Sequence, residues 1–391
     1  MRTALLKKGA KNGAVSFQIL EGLEAIERYR AAWDHLFDDG AFEPSASIEW
    51  TQALLKSHLT GYTISLIVLR DLDDIVGIVP LYLKTIRKFG LSLSTLFPVS
   101  EHFNTHSDLL LKNPSEELLE IFIKALFNLK ARWDVFRINR LVETHSLLDH
   151  MASHPSDGFH CRFEIRKHEP SFYIQLETSY DDFLKKRSSN FRYKLKSVSK
   201  KLPSMGDTRF LKNPDIDSFD EIFDMIRFVE EKSWKHENGT GITCNDKQST
   251  FYRELFKNAL KKGWLRFCFL CLNQEPIAYE IGLVNKNKYY GVHGSYDERF
   301  KQWNPGTILL AQFINDLIRD RIEEYDWFGE PFEWERRWTD KFRWHKSLLI
   351  YNNTPKAALF RLFNRIRTKI NPHKNDRLIL RNPRNIKPEQ S

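Results

Sequence analysis

A carboxylate inside an apolar strand is costly unless it is paired or put to use. Glu280 sits in such a run, between Ile277, Ala278, Ile281 and Leu283. If alternation holds, it shares a face with Ala278 and Gly282, which leaves room beside it for a ligand; an edge position facing water is the plainer alternative. Downstream, Gly291-Val-His-Gly-Ser-Tyr-Asp-Glu-Arg299 leaves a strand carrying His293, Tyr296 and Asp297, any of which can handle a proton. Trp303-Asn-Pro-Gly-Thr307 then precedes the apolar run 308–313. Pro305 fixes φ there, Gly306 permits close backbone approach, and the amides of a helix start suit an anion such as a pyrophosphate. A Pro-Gly before a helix also serves as a simple turn. Upstream, Trp234, Lys235 and His236 lead into Gly239-Thr-Gly241. A flat ring, two basic groups and a pliant loop suit a binding mouth. They equally suit an exposed helix end, where Lys and His meet the dipole and Gly supplies the cap. Trp334 and Trp338 are spaced for a pocket wall or for a core face.

These residues need elements to position them. The pattern predicts strands over 265–272 and 276–284, joined across Asn273-Gln-Glu275 as a hairpin, and a third strand over 288–294. A helix over 306–321, a short strand over 325–328 and a strand over 343–351 follow. Helices are predicted over 180–202, 217–235 and 247–262. The first half repeats the theme: a strand at 15–20, a helix over 21–37, another from about 47, and a hairpin of 63–70 and 75–84. A helix at 115–130 and strands at 133–138, 161–167 and 171–176 complete it. Two such halves, with hairpins about 200 residues apart, imply a duplicated α/β (α+β) domain. Each copy is expected to be a mostly antiparallel mixed sheet flanked by helices. The expected boundaries are 1–175, 176–355 and a basic helix and tail over 356–391.

Composition narrows the class. The 391 residues are 41% hydrophobic and 28% charged, with 17 Gly, 15 Pro and 4 Cys, which excludes collagen-like, disulfide-stapled and wholly disordered chains. No apolar run approaches the ~18 residues of a spanning helix. Lys7, Lys8 and Lys11 lead into no apolar signal segment. Cys268 and Cys271 lie on opposite faces of a strand, with no partner pair at metal-binding spacing, so they read as core thiols and no metal is expected. The expected location is cytoplasmic and reducing, with peripheral contact at the inner face of a membrane as a further option. GxGxxG, Walker A, HExxH and GxSxG are all absent from the sequence.

Taken in order, several segments resemble a family. They are Glu231-Lys-Ser-Trp-Lys235 with Gly239-Thr-Gly-Ile242, Phe251-Tyr252, Gly263-Trp-Leu265 and Pro276-Ile-Ala278. Ser295-Tyr-Asp-Glu298, Pro305-Gly306 with Leu309, Asp326 with Gly329, and Trp334 with Trp338 continue the series. The set is similar to the tandem-domain acyltransferases of the GNAT superfamily, of the CelD cellulose-biosynthesis type, related to the FemAB aminoacyltransferases. Ser47-x-Glu-Trp50, Gly77-Ile-Val-Pro-Leu81 and Asp108-Leu-Leu110 extend the likeness to about residues 17–351. Two positions depart from it. Asn304 stands where the family often has Ser, and since Asn also caps helices little change is expected. Glu335 follows Trp334 where the family often has Lys, which puts the acceptor or donor in question.

The resemblance implies transfer of an acyl group from acyl-CoA, a co-substrate and not a resident cofactor, to an amine. The implied acceptor is an amino sugar or a cell-envelope or exopolysaccharide precursor. It implies Glu280 or Asp297 as base, Tyr290 or Tyr296 as acid, and Asn304, Gly306 and Thr307 near the pyrophosphate. Trp234, Lys235, His236, His293, Asp326 and Trp334 are implied around the substrates. Aminoacyl transfer from charged tRNA and a non-catalytic accessory in polysaccharide assembly are the competing readings.

The formal net charge of +9 is concentrated. Lys185, Lys186, Arg187, Arg192, Lys194, Lys196, Lys200 and Lys201 fall in one stretch without an acid. Its plain reading is a solvated face; its sharper one is a clamp for phosphates of CoA, a nucleotide-linked precursor or tRNA. The segment 356–391 carries ten Lys/Arg against two acids, and the chain without these two stretches is mildly acidic. Leu359, Phe360, Leu362, Phe363 and Ile366 among its cations suit either an interfacial helix at an anionic membrane or a helix docked on the protein.

Overall fold

The computed structural model describes residues 15–100, 105–153 and 162–370. Along the chain the elements are β1 (Val15–Glu21), α1 (Leu23–Arg28), α2 (Arg30–Asp39), α3 (Ile48–Lys56), β2 (Ile64–Asp71), β3 (Asp74–Lys88) and β4 (Leu91–Pro98). Then come β5 (Leu110–Leu111), α4 (Glu116–Phe127), β6 (Val135–Val142), α5 (Ser146–Ser153) and β7 (Arg162–Gln175). The second run is α6 (Tyr180–Lys185), α7 (Ser189–Met205), β8 (Thr208–Lys212), α8 (Phe219–Glu230), α9 (Trp234–Glu237) and α10 (Asp246–Lys261). It continues with β9 (Leu265–Leu272), β10 (Glu275–Asn285), β11 (Lys288–Tyr296), α11 (Pro305–Arg319) and β12 (Glu324–Asp326), and ends in β13 (Phe342–Tyr351) and α12 (Pro355–Ile370).

The chain divides into two units, with cuts at Pro170 inside β7 and at Arg343 inside β13. In the first, the strand order is β1-β2-β3-β4-β6-β13. The pairs are antiparallel except β4 with β6, which are parallel after the crossover through α4. Its core gathers Ile67, Val79, Leu96, Phe122, Phe136, Ile138 and Ile350. In the second unit the end of β7 starts the order β7-β12-β11-β10-β9-β8. Here too one pair, β11 with β12, is parallel, and α11 is its crossover. Its core gathers Leu270, Ala278, Tyr289, Leu309, Phe313, Ile314 and Trp338. Each unit is therefore an antiparallel meander followed by a helix and a parallel fifth strand, the mixed and mostly antiparallel architecture expected.

Several elements differ from the sequence reading. The predicted helix over 180–202 is two helices, because the Ser188 hydroxyl accepts from the Phe191 amide and starts a new helix there. The helix predicted over 217–235 ends at Glu230, and Ser233 caps the short α9. The two predicted strands at 161–167 and 171–176 are one, β7. Strands β4 and β8 have no counterpart in the sequence reading. Residues 344–370 belong to the first unit again, rather than to the second as far as 355, because His345–Tyr351 pair with β6. Residues 371–391 of the expected tail lie outside the described residues.

Candidate active site

The second unit brings Glu280 to the place where two strands part. Strands β11 and β12 pair only over Lys288–Tyr290 and Glu324–Asp326. Beyond Tyr290, β11 continues to Tyr296 on its β10 side. Glu280 pairs in register with Gly294 across that β10–β11 ladder. A bulge at Ile281/Gly282 offsets the strands just beyond it.

Two hydroxyls and two glycines define the carboxylate's surroundings. Tyr325 Oη donates to Glu280 Oε1 at 2.8 Å and Tyr289 Oη at 3.3 Å. The Tyr289 ring is fixed edge-on by Phe313 of α11, and Tyr325 packs against Trp327. A side chain at Gly294 would overlap Glu280 Oε2, and one at Gly291 would stand 3.3 Å from Oε1. Glycine at both positions is what lets the carboxylate lie flat against β11. Burial pushes the Glu280 carboxyl up to about 7, opposed by Tyr325, the Lys235 ammonium and Tyr289. Its residue still keeps part of its surface open. A partly open carboxylate that gains and loses a proton near neutrality is suited to general-base work.

A second network adjoins it. Lys235, on α9, donates from Nζ to the Gly294 carbonyl at 2.6 Å and lies 3.5 Å from His293 Nε2. Tyr279 Oη lies 2.7 Å from His293 Nδ1 and donates to Glu230 Oε1 at 2.6 Å. The Ile242 amide donates to Glu230 Oε2 at 3.0 Å. The His293 ring also hydrogen-bonds to the Thr240 backbone. Burial and the Lys235 charge push His293 well below its usual range, so its ring is neutral. Burial pushes Lys235 down, while Glu230 and Glu280 pull it up. Gly241 is needed here, since a side chain on it would overlap Glu230 Oε2.

The structure brings Glu280, Lys235 and His293 together, but it separates other residues proposed from sequence. Asp297 is fully buried, and both of its oxygens are engaged by Arg299, at 2.6–3.1 Å. It also caps the turn after β11, so it is not placed as a free base. Tyr290 is buried edge-on against Phe328. Tyr296 is half-buried, with its ring beside the Gly306 backbone at the head of α11.

Asn304 corrects an expectation: its side chain makes no cap bond, and it takes a left-handed conformation with φ 52°. Its carbonyl accepts from the Thr307 and Ile308 amides. Trp234 opens α9 with the Lys235 ammonium 5.8 Å from its ring, and His236 is exposed. Asp326 is buried, with Arg343 at 3.0 Å and the Phe328 amide on its other oxygen. Trp334 packs edge-on against Trp327. Glu335 is buried and accepts from the Phe332 amide, so the departure from Lys serves its own turn. Sequence reasoning missed Tyr289, Tyr325, Tyr279 and Glu230; the Tyr289-Tyr290 pair on the strand that follows Glu280 was the available signal. Among the described residues, no group of three or more His, Cys, Asp or Glu is placed to hold a metal ion.

Residues 189–336 match the acetyltransferase (GNAT) domain, so the second unit carries an acyltransferase domain of that type. Solved structures share the fold over most of the chain. FemX is 10% identical with a TM-score of 0.56, covering 88% of this chain and 99% of its own. The C-terminal domain of a putative lysylphosphatidylglycerol synthetase from Agrobacterium fabrum is 10% identical with a TM-score of 0.52, covering 88% and 97%. A conserved protein of unknown function from Bacteroides thetaiotaomicron is 12% identical with a TM-score of 0.52, covering 83% and 97%. No curated protein sequence matches the chain.

Proposed function

We propose that the GNAT domain of the second unit transfers an acyl group from acyl-CoA to an amine, with Glu280 as general base. The observation that carries this reading is the Glu280 carboxylate, tuned to about 7 and held by two tyrosines where β11 and β12 part. The acyl-thioester lies along the unpaired edge of β11, where Gly294 and Tyr296 turn their backbone groups away from β10 by alternation. A backbone amide of that edge stabilises the thioester oxygen as negative charge develops. Glu280 takes a proton from the incoming ammonium, and the freed amine attacks the thioester carbon. The N–C bond forms, the C–S bond breaks, and the departing thiolate takes a proton from Tyr296. The surplus proton on the new amide nitrogen passes to the Tyr296 phenolate, leaving a neutral amide, a free thiol and protonated Glu280. Lys235 screens the charge that Glu280 carries and orders the Gly294 carbonyl. The head of α11, with Gly306 and Thr307, holds the pyrophosphate.

The acceptor in this reading is an amino sugar or a cell-envelope or exopolysaccharide precursor, which rests on the sequence resemblance alone. Calorimetric titration with acetyl-CoA and longer acyl-CoAs tests the donor. Binding of a CoA thioester, with turnover lost in Glu280→Gln, is the expected result. No binding of any CoA thioester would sink the reading.

A second reading, aminoacyl transfer from charged tRNA, is favoured by one observation. Arg192, Lys194, Lys196 and Lys200 are exposed on α7, with Tyr193 74% exposed among them, a surface suited to phosphates and stacked bases. Salt-sensitive tRNA binding without CoA binding would decide for it.

A further inference from the structure

Helix α12 shows two apolar faces, and among the described residues only one is covered. Ala357, Phe360 and Asn364 are buried against the first unit, where Asn364 Nδ2 donates to Tyr351 Oη at 3.3 Å. Phe360 and Phe363 also meet Phe89, at the tip of the β3–β4 hairpin. At about 100° per residue, Leu359, Leu362, Ile366 and Ile370 form a stripe on the other side of the helix. They are 39%, 52%, 45% and 70% exposed. Arg365 and Lys369 border this stripe on one side, Lys356 and Arg367 on the other, and all four are exposed. The helix contains no acid.

The cations around the helix crowd one another. Burial pushes Lys88 down, and Arg137, Arg367 and Arg166 push it further. Burial lowers Arg361 too, with Arg365 and Arg162 adding to the effect and Glu164 opposing it. This end of the unit thus holds a positive field that an outside anion relieves. The chain beyond adds Lys374, Arg377, Arg381, Arg384 and Lys387 against Asp376 and Glu389.

We propose that α12 is a membrane-docking helix: it is clamped to the first unit by one face and lays Leu359, Leu362, Ile366 and Ile370 into an anionic lipid surface by the other. A stripe flanked on both sides by cations, lying parallel to the surface it meets, matches an acyl boundary beneath anionic headgroups. Neither a neutral apolar partner nor a second copy of this equally basic helix satisfies the charge. The inference stands apart from the acyl-transfer reading, because it concerns the other unit.

The test is co-sedimentation of the full chain with vesicles of phosphatidylcholine, with and without about 30% phosphatidylglycerol. Binding at least about tenfold stronger to the anionic vesicles, weakening at about 0.5 M salt, is expected. The Leu362→Glu/Ile366→Glu variant should lose it, and Arg365→Glu/Lys369→Glu should weaken it about fivefold or more for each cation. All four positions are exposed, so circular dichroism and thermal melting should match the parent. Equal binding to both vesicle types, or unchanged binding by the stripe variant, would overturn the proposal. So would a stripe that closes a dimer in sedimentation velocity while no vesicle is bound.

Discussion

Glu280 shows how one carboxylate is made useful by its neighbours. An ionised group there is opposed by burial and supported by two phenolic donors and a lysine, which leaves its pKa at about 7. Only the ionised form accepts a proton, so kcat/KM should rise with pH below 7 and level off above it, as a pH–rate profile will show. Glu280→Gln should lower kcat/KM by about 10²–10⁴-fold and abolish the inflection. Folding raises this pKa above the ordinary value of 4.5, so the native state holds a proton that the unfolded chain releases. Its contribution to stability is therefore full below about 4.5 and is lost as pH rises towards 7; Glu280→Gln should flatten that decline in denaturant melts. The flanking glycines make a graded pair. Gly294→Ala places a methyl on Oε2, and Gly291→Ala places one in tight contact with Oε1. The first should cost about 10²-fold or more in turnover and the second less, because a misplaced base loses most of its advantage. Glu280 was legible in the sequence as a charge in an apolar strand. Tyr325 was not, since it comes from a strand 45 residues away whose pairing no local pattern announces.

At the scale of elements, long and strongly patterned segments were the legible ones. The hairpin β9–β10 and helix α11 follow from apolar runs and a turn between them. Strand β8 hides because its residues Thr208–Lys212 are only partly buried and show no clean alternation. The break at Glu230–Ser233 is a matter of capping: without it α8 would run on and carry Lys235 elsewhere, and with it Lys235 Nζ reaches the Gly294 carbonyl. The start of α11 also depends on backbone rather than on a cap. Asn304 supplies a left-handed turn, which Asn tolerates and Ser resists. Asn304→Ser should therefore destabilise by about 1 kcal/mol in chemical denaturation, whereas Asn304→Gly should be nearly neutral.

At the scale of the molecule, the first unit is discontinuous. Its β6 pairs with β13 through His345–Tyr351, and α12 follows on the same unit. Asn352 and Thr354 add bonds back to Trp133 and Asp134. A fragment ending at residue 170 lacks all of this, and it should be poorly soluble and show weak amide protection in β6 by hydrogen exchange. Adding a 344–370 fragment in trans should restore both. The repeated architecture was visible as two similar runs of elements, but this return was not, because strand partners are chosen in space. Synthesis proceeds from the amino terminus, so a nascent chain offers β8 to β12 for folding before β13 has been made. For that interval β6 presents an unpaired edge beside an incomplete core, which invites pairing with neighbouring chains on the same message. The pace at which the last stretch is translated thus becomes a determinant of how much protein reaches its native form.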